Sequence, residues 1–225
     1  MIELENVAYE YDGGAVFAGI SAHLAPGSFH FLTGPSGAGK TTLLKLCYGA
    51  LQPTAGHVTL LGRDMRLVDR DAVALMRRKV GVVHQDCQFL DHLTLKENVA
   101  LPLTVSGRHA EIDSPDLTEL LGWVGLGGRA DALPPQLSGG ERQRAALARA
   151  VILSPDVVLA DEPTGNVDWE MSQRILRLLV ELNKMGKTVL VATHDMSLIR
   201  AAKTHVQARV LRIANRQIQL AGADL

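Results

Sequence analysis

The segment Gly34-Pro35-Ser36-Gly37-Ala38-Gly39-Lys40-Thr41 limits what this chain can fold into more than any other. Ahead of it, Ser28-Phe29-His30-Phe31-Leu32-Thr33 reads as a buried strand. Behind it, Leu43, Leu46, Cys47, Ala50 and Leu51 recur at helical spacing, and Pro53-Thr54-Ala55-Gly56 is expected to break that helix. A strand that ends in a glycine-rich turn and feeds a helix is the setting of a phosphate-binding loop. The glycines let backbone N–H groups turn inward, and the helix start adds its positive end. Lys40 would neutralise phosphate charge, and Thr41, followed by Thr42, would offer its hydroxyl to Mg²⁺.

The rest of the chain keeps a strand–helix rhythm. Ile2, Leu4, Val7 and Tyr9 alternate as in an edge strand, and strands are predicted over 57–61, 79–84, 157–160 and 187–193. Helices are predicted over 138–153 and 168–184. Residues 206–220 read as a closing hairpin turning at Ala214-Asn215, where asparagine tolerates a left-handed backbone. From 86 to 136 strand-like runs vanish, and short helical segments are separated by Ser106-Gly107, Ser114-Pro115, Gly127-Gly128 and Pro134-Pro135. The expected architecture is α/β: one domain over 1–225, with a helical subdomain (86–136) inserted in a mostly parallel core made of 1–85 and 137–225.

Composition removes several function classes. A formal charge of −1 gives no basic field for nucleic acid. No apolar run approaches the roughly 20 residues that span a bilayer, and the acidic opening Met1-Ile2-Glu3 lacks a signal-peptide core. Two cysteines, Cys47 and Cys87, fit a reducing compartment without a disulfide framework. Cys47 lies on an apolar helical stripe and reads as a small buried hydrophobe.

The chemistry sits where predicted strands end. Val157-Val158-Leu159-Ala160 runs into Asp161-Glu162, delivering two carboxylates to the ligand-binding edge of a parallel sheet. Asp161 would hold Mg²⁺ through its water shell, and Glu162 would deprotonate an attacking water. Gln85 follows a strand and would reach either the metal or that water; His194 follows another and would bond a terminal phosphate. Ser138-Gly139-Gly140-Glu141 is a capping box in its own right. Capping needs no paired glycines, which cost helix stability, so they are expected to let phosphate approach the backbone.

Taken in order, the phosphate loop, Gln85, Leu137-Ser138-Gly139-Gly140-Glu141-Arg142-Gln143, the Asp161-Glu162 strand, Gly165-Asn166-Val167-Asp168 and His194 resemble the nucleotide-binding subunit of ABC transporters. The resemblance covers essentially the whole chain. It implies a P-loop ATPase fold with a RecA-like core and an antiparallel β edge. Its cofactors would be ATP and Mg²⁺, and Thr41, Gln85 and Asp161 would hold the metal. Tyr11 matches the aromatic that stacks on adenine. A head-to-tail homodimer is implied, with the Ser138 segment of one copy closing on the phosphate loop of the other and Asp168 communicating between the two sites. An integral-membrane partner is implied too, its cytoplasmic helix seated near Phe89, Leu90, Leu93, Leu95, Val99 and Leu101, several of which would instead form subdomain core.

Finer details are Leu43-Leu44-Lys45-Leu46, Ala160-Asp161-Glu162-Pro163-Thr164-Gly165-Asn166 and Ala192-Thr193-His194-Asp195. They resemble the bacterial cell-division branch of the family, which regulates wall hydrolases through a membrane protein and other division proteins at the cytoplasmic face of the inner membrane. Glu141-Arg142-Gln143 is equally typical of the lipoprotein-release and macrolide-export branches. His84 and Ala214-Asn215 depart from the common pattern without touching the proposed chemistry. The insert is too short and broken for the coiled-coil arms of a chromosome-organising ATPase, and one cassette is too few for a translation factor. A scaffold that binds ATP without turnover stays open as an alternative.

Overall fold

The structure is a computed structural model that describes residues 1–165 and 167–220. Asn166 of the expected Gly165–Asp168 segment lies outside the described residues.

Two sheets build the molecule. The first is four-stranded and antiparallel, in the order β2 (Gly14–Leu24), β1 (Ile2–Tyr11), β4 (Ala55–Leu60), β5 (Arg63–Asp64). Contrary to the sequence reading, β1 is not an edge strand. It pairs with β2 on one side and β4 on the other, so its alternation reports one buried face rather than an open flank. The second sheet runs β10 (Gln217–Leu220), β9 (Ala208–Ala214), β3 (Phe29–Thr33), β8 (Thr188–Ala192), β7 (Val157–Asp161), β6 (Val80–Val83). Every pair in it is parallel except β9–β10.

β3, β7 and β8 are buried at every residue, as strands covered on both faces must be. Their alternate sides feed two cores. Leu32, Leu159 and Leu190 face the antiparallel sheet and the helix α1 (Lys40–Cys47). Phe29, Phe31, Val158 and Val189 face α6 (Trp169–Lys184) and α7 (Met196–Lys203). The hairpin turns at Asn215-Arg216, both left-handed at φ 51° and 62°, one residue later than expected. α1 also stops sooner than expected: Gly49 takes φ 70°, and the Met65 methyl lies 2.6 Å from where a Cβ would sit. Ala50 is consequently exposed.

Between β6 and α5 (Gly139–Val151) the described elements are α3 (Leu95–Val105), α4 (Pro115–Trp123) and three short 3₁₀ turns. They share a core of Leu95, Val99, Leu117, Leu121 and Val124 packed on Ala145 and Ala148 of α5. Asn98, buried inside it, donates to the carbonyls of Leu90, Leu93 and Thr94 and accepts from Leu90 N–H. Leu95 and Val99 are therefore core, whereas Leu90 stays exposed.

Candidate active site

The C-terminal ends of β3, β6, β7 and β8 converge on a cleft of about 530 Å³. Gly34, Pro35, Ser36, Gly37, Gly39, Lys40, Thr41 and Thr42 line one side. Gln85, Asp161, Glu162, Gly165 and His194 line the other.

Gly39 shows why the loop is built from glycine. It sits at φ 97°, and a Cβ there would lie 2.5 Å from Val16 of β2 and 2.9 Å from the Phe17 ring. It also occupies the N-cap of α1, and no side chain caps that helix start, nor does an acid fall in its first turn. The first N–H groups of α1 and its positive end are left for an anion. Lys40 Nζ donates to the carbonyls of Gly34 (3.1 Å) and Pro35 (3.4 Å) and reaches Glu162 Oε1 at 3.5 Å across the cleft.

β7 carries the two carboxylates in different directions. Asp161 is buried, and burial pushes its carboxyl above the usual range against the pull of the Thr41 hydroxyl and of Lys40. Its Oδ1 has no hydrogen-bond partner. An orphaned carboxylate oxygen beside a threonine hydroxyl is a donor set for a hard divalent cation, which takes one or two carboxylates and leaves other positions to water and phosphate. The residues therefore fit Mg²⁺. Glu162 is held at φ 46°, an unusual backbone for a glutamate; its N–H donates to Ala192 O at 2.9 Å and its C=O accepts from Gly165 N–H. That geometry turns its side chain between two partners. Oε1 faces Lys40, and Oε2 lies 3.0 Å from His194 Nδ1. His194 itself is largely exposed at the cleft mouth.

The remaining sequence-predicted residues fall outside the cleft lining. Ala38 packs into the core beneath the loop. Tyr11, half-exposed at the end of β1, meets Tyr9 edge-on at 4.9 Å and lies 3.4 Å from the Thr42 hydroxyl. Ser138 caps α5, accepting from Glu141 N–H at 3.2 Å while its own N–H donates to Glu141 Oε2 at 2.8 Å. Asp168 caps α6 through Met171 N–H at 2.8 Å. Ser138, Gly139, Gly140 and Asp168 do not reach this chain's own cleft. Gly140 has a packing reason besides the one read from sequence: a Cβ there would stand 2.8 Å from Met171 Cγ.

Sequence reasoning missed the grip on Gln85. Gln143 Nε2 donates weakly to Gln85 O at 3.5 Å, and Arg149 donates to the carbonyls of Cys87 and Gln88. These contacts join residues about sixty positions apart, and no local pattern announces them.

A cleft with a lysine-bearing glycine loop on one rim and a carboxylate pair on the other defines a P-loop nucleotide site. The ABC transporter family model matches residues 17–165, and the chain belongs to the ABC transporter ATPases. Within that family it is FtsE-like. It is 45% identical over 202 residues to the cell division ATP-binding protein FtsE of Haemophilus influenzae, covering 89% of this chain and 93% of that protein. It is 46% identical over 200 residues to FtsE of Escherichia coli, covering 88% and 90%, and 41% identical over 209 residues to that of Bacillus subtilis, covering 92% of each. The ATP-binding cassette MJ0796, solved as a dimer in a post-hydrolysis state bound to ADP and Pi, superposes with a TM-score of 0.86 at 32% identity and 97% coverage of both chains. No described helix is long and apolar enough to cross a membrane.

Proposed function

We propose that this chain is the ATP-hydrolysing subunit of a membrane complex that acts in bacterial cell division. Two copies would close head to tail over two ATP molecules and drive an FtsX-like membrane protein that regulates peptidoglycan hydrolysis. The observation that carries the reading is Glu162, poised between Lys40 and His194 on the rim that also holds the buried Asp161. Lys40 and the N–H groups around it hold the terminal phosphates. Glu162 takes the proton from the attacking water, and His194 holds that carboxylate and bonds the terminal phosphate. Water adds to the γ-phosphorus, the bond to the β-phosphate oxygen breaks, and ADP and phosphate leave. Mg²⁺, held by Thr41, Gln85 and, through water, Asp161, would spread the phosphate charge when bound. Tyr11 would stack on adenine, Ser138, Gly139 and Gly140 would complete the partner's site, and Asp168 would link the two sites.

We read residues 86–136 as the body that moves against the core and carries force to the membrane protein. The complex would then sit on the cytoplasmic face of the inner membrane. Glu162→Gln keeps shape and removes the base. Its phosphate release should fall about 10²–10⁴-fold while ATP still binds, and near-normal release would remove Glu162 from its role. Co-purification from detergent-solubilised membranes tests the partner. A lipoprotein-release or macrolide-export membrane subunit in place of a division protein would overturn the cell-division assignment.

A further inference from the structure

The loop after β6 carries Gln85 into the cleft and then bends sharply. Cys87 and Gln88 are consecutive non-glycine residues in the left-handed region, at φ 55° and 36°. Such a pair persists only where the surroundings hold it in place. Two backbone bonds close the turn itself, Cys87 N–H to His84 O and Gln88 N–H to Asp86 O, and α5 grips it from outside. Arg149, in the last turn of that helix, donates through Nη1 to Gln88 O at 2.9 Å and through Nη2 to Cys87 O. Its guanidinium also lies over the Phe89 ring, 4.7 Å from the centroid. Three successive residues of the loop are thus gripped by one planar, forked group, a task a lysine cannot reproduce. Gln143, two turns earlier on the same helix, adds one weak bond to Gln85 O, and its own buried Oε1 has no partner. Arg149 is therefore the main clamp.

α5 is also the helix that Ser138 caps. Ser138 and Arg149 stand eleven residues apart, about 16 Å along a helix. One rigid rod thus presents the capped glycine start at one end and grips the Gln85 loop toward the other.

We propose that Arg149 is the positioning residue for Gln85: it fixes the strained backbone at Cys87 and Gln88, so that any displacement of α5 moves Gln85 in the cleft. The inference rests on the proposed role of Gln85 in turnover. Steady-state ATPase of the full chain, with kcat and KM separated, tests it through Arg149→Lys, Gln85→Ala and the double variant. Arg149→Lys should lower kcat about 10-fold with KM for ATP within about 2-fold. In the Gln85→Ala background the same change should alter kcat by less than about 2-fold, because the clamp then has nothing to position. Phe89→Leu, which leaves both carbonyl bonds available, should give a smaller loss in the same direction and keeps the test open if Arg149→Lys misfolds. Independent effects in the double variant, or a rise in KM at unchanged kcat, would overturn the inference while leaving Gln85 in its role. An unaffected Gln85→Ala enzyme would instead overturn the role of Gln85, and the inference with it.

Discussion

The phosphate-loop cleft and the start of α5 are both glycine-rich turns that open a helix, yet they are finished differently. At the cleft the chain supplies both rims: Lys40 and the loop on one side, Asp161, Glu162 and His194 on the other. α1 has no side-chain cap, and Asp161 Oδ1 is unpaired. At the start of α5, Ser138 and Glu141 satisfy each other, and neither is among the described residues that line the cleft. One turn is assembled for an anion; the other is a stable helix start that, in the proposed reading, awaits another copy. In that reading hydrolysis would require two subunits to meet, and assembly would gate it.

The contrast breaks first at Lys40. Lys40→Ala removes the one lysine or arginine among the described residues that line the cleft and should weaken ATP binding by 10²-fold or more, roughly the worth of a charge-assisted contact to phosphate in a desolvated site. A direct titration that returns submicromolar affinity for this variant would make the cleft no different from an ordinary glycine turn.

Complementation asks the next question. Lys40→Ala retains an intact Ser138 segment, and Ser138→Arg retains an intact phosphate loop. Alone, each should be inactive. Mixed in equal amounts they should recover about a quarter of wild-type turnover, since half of random dimers are mixed and each holds one complete site. No recovery from well-folded, associating subunits would mean that the two turns never share a nucleotide.

How much of this was readable from the chain follows from burial. β3, β7 and β8 are covered on both faces, so their apolar runs stand out, and the residues after them (Gly34, Glu162 and His194) could be placed at one sheet edge from sequence. β2 escaped because Gly14–Leu24 carries small residues and pairs with β1 through register shifts. With β2 unseen, β1 looked like an edge. α2 (Arg70–Arg77) and α7 are eight-residue helices, and each is capped by an aspartate, Asp69 or Asp195, that reads equally well as a loop residue. The Glu162–His194 contact joins residues 32 apart, and the backbone turn that aims Glu162 is a tertiary property of the β7–β8 edge. Spacing alone cannot produce either.

Two buried groups of the parallel sheet, His30 on β3 and Asp161 on β7, respond to acid in opposite ways. His30 on β3 is 1% exposed, faces the antiparallel sheet across from Arg209 of β9, and has no partner for Nδ1. Burial, with Arg209 and His23 nearby, holds its pKa down at about 4 against an ordinary 6.5. The folded state thus keeps His30 neutral while the unfolded chain protonates it, so stability is lost as pH falls from about 6.5 toward 4. Asp161 pulls the other way: its raised carboxyl makes the cleft costlier to fold as pH rises above the ordinary aspartate value. Urea unfolding at pH 7 and pH 5 should show a loss on the order of 1–2 kcal/mol from His30. His30→Leu should flatten that difference, and equal losses in both proteins would take His30 out of the account.

The smallest effect on stability carries the sharpest test of the glycine start. Gly140→Ala sets a methyl against Met171, an overpacking that costs roughly 1–3 kcal/mol, while alanine in a helix returns about 1 kcal/mol. The net loss should be about 1 kcal/mol, and it should vanish when the same change is made in a Met171→Ala background, since the side chain that must yield is then gone. Met171→Ala has its own cost, because Met171 packs on the core and accepts from Arg144, so that single variant is the reference. Packing and phosphate approach now separate. If Gly140 serves only Met171, the double variant matches Met171→Ala in both stability and ATPase. If the glycine also lets a partner's γ-phosphate come close to the backbone, stability matches and turnover falls. The proposed shared site requires the second outcome, and a double variant as active as Met171→Ala would reduce the start of α5 to a well-capped helix.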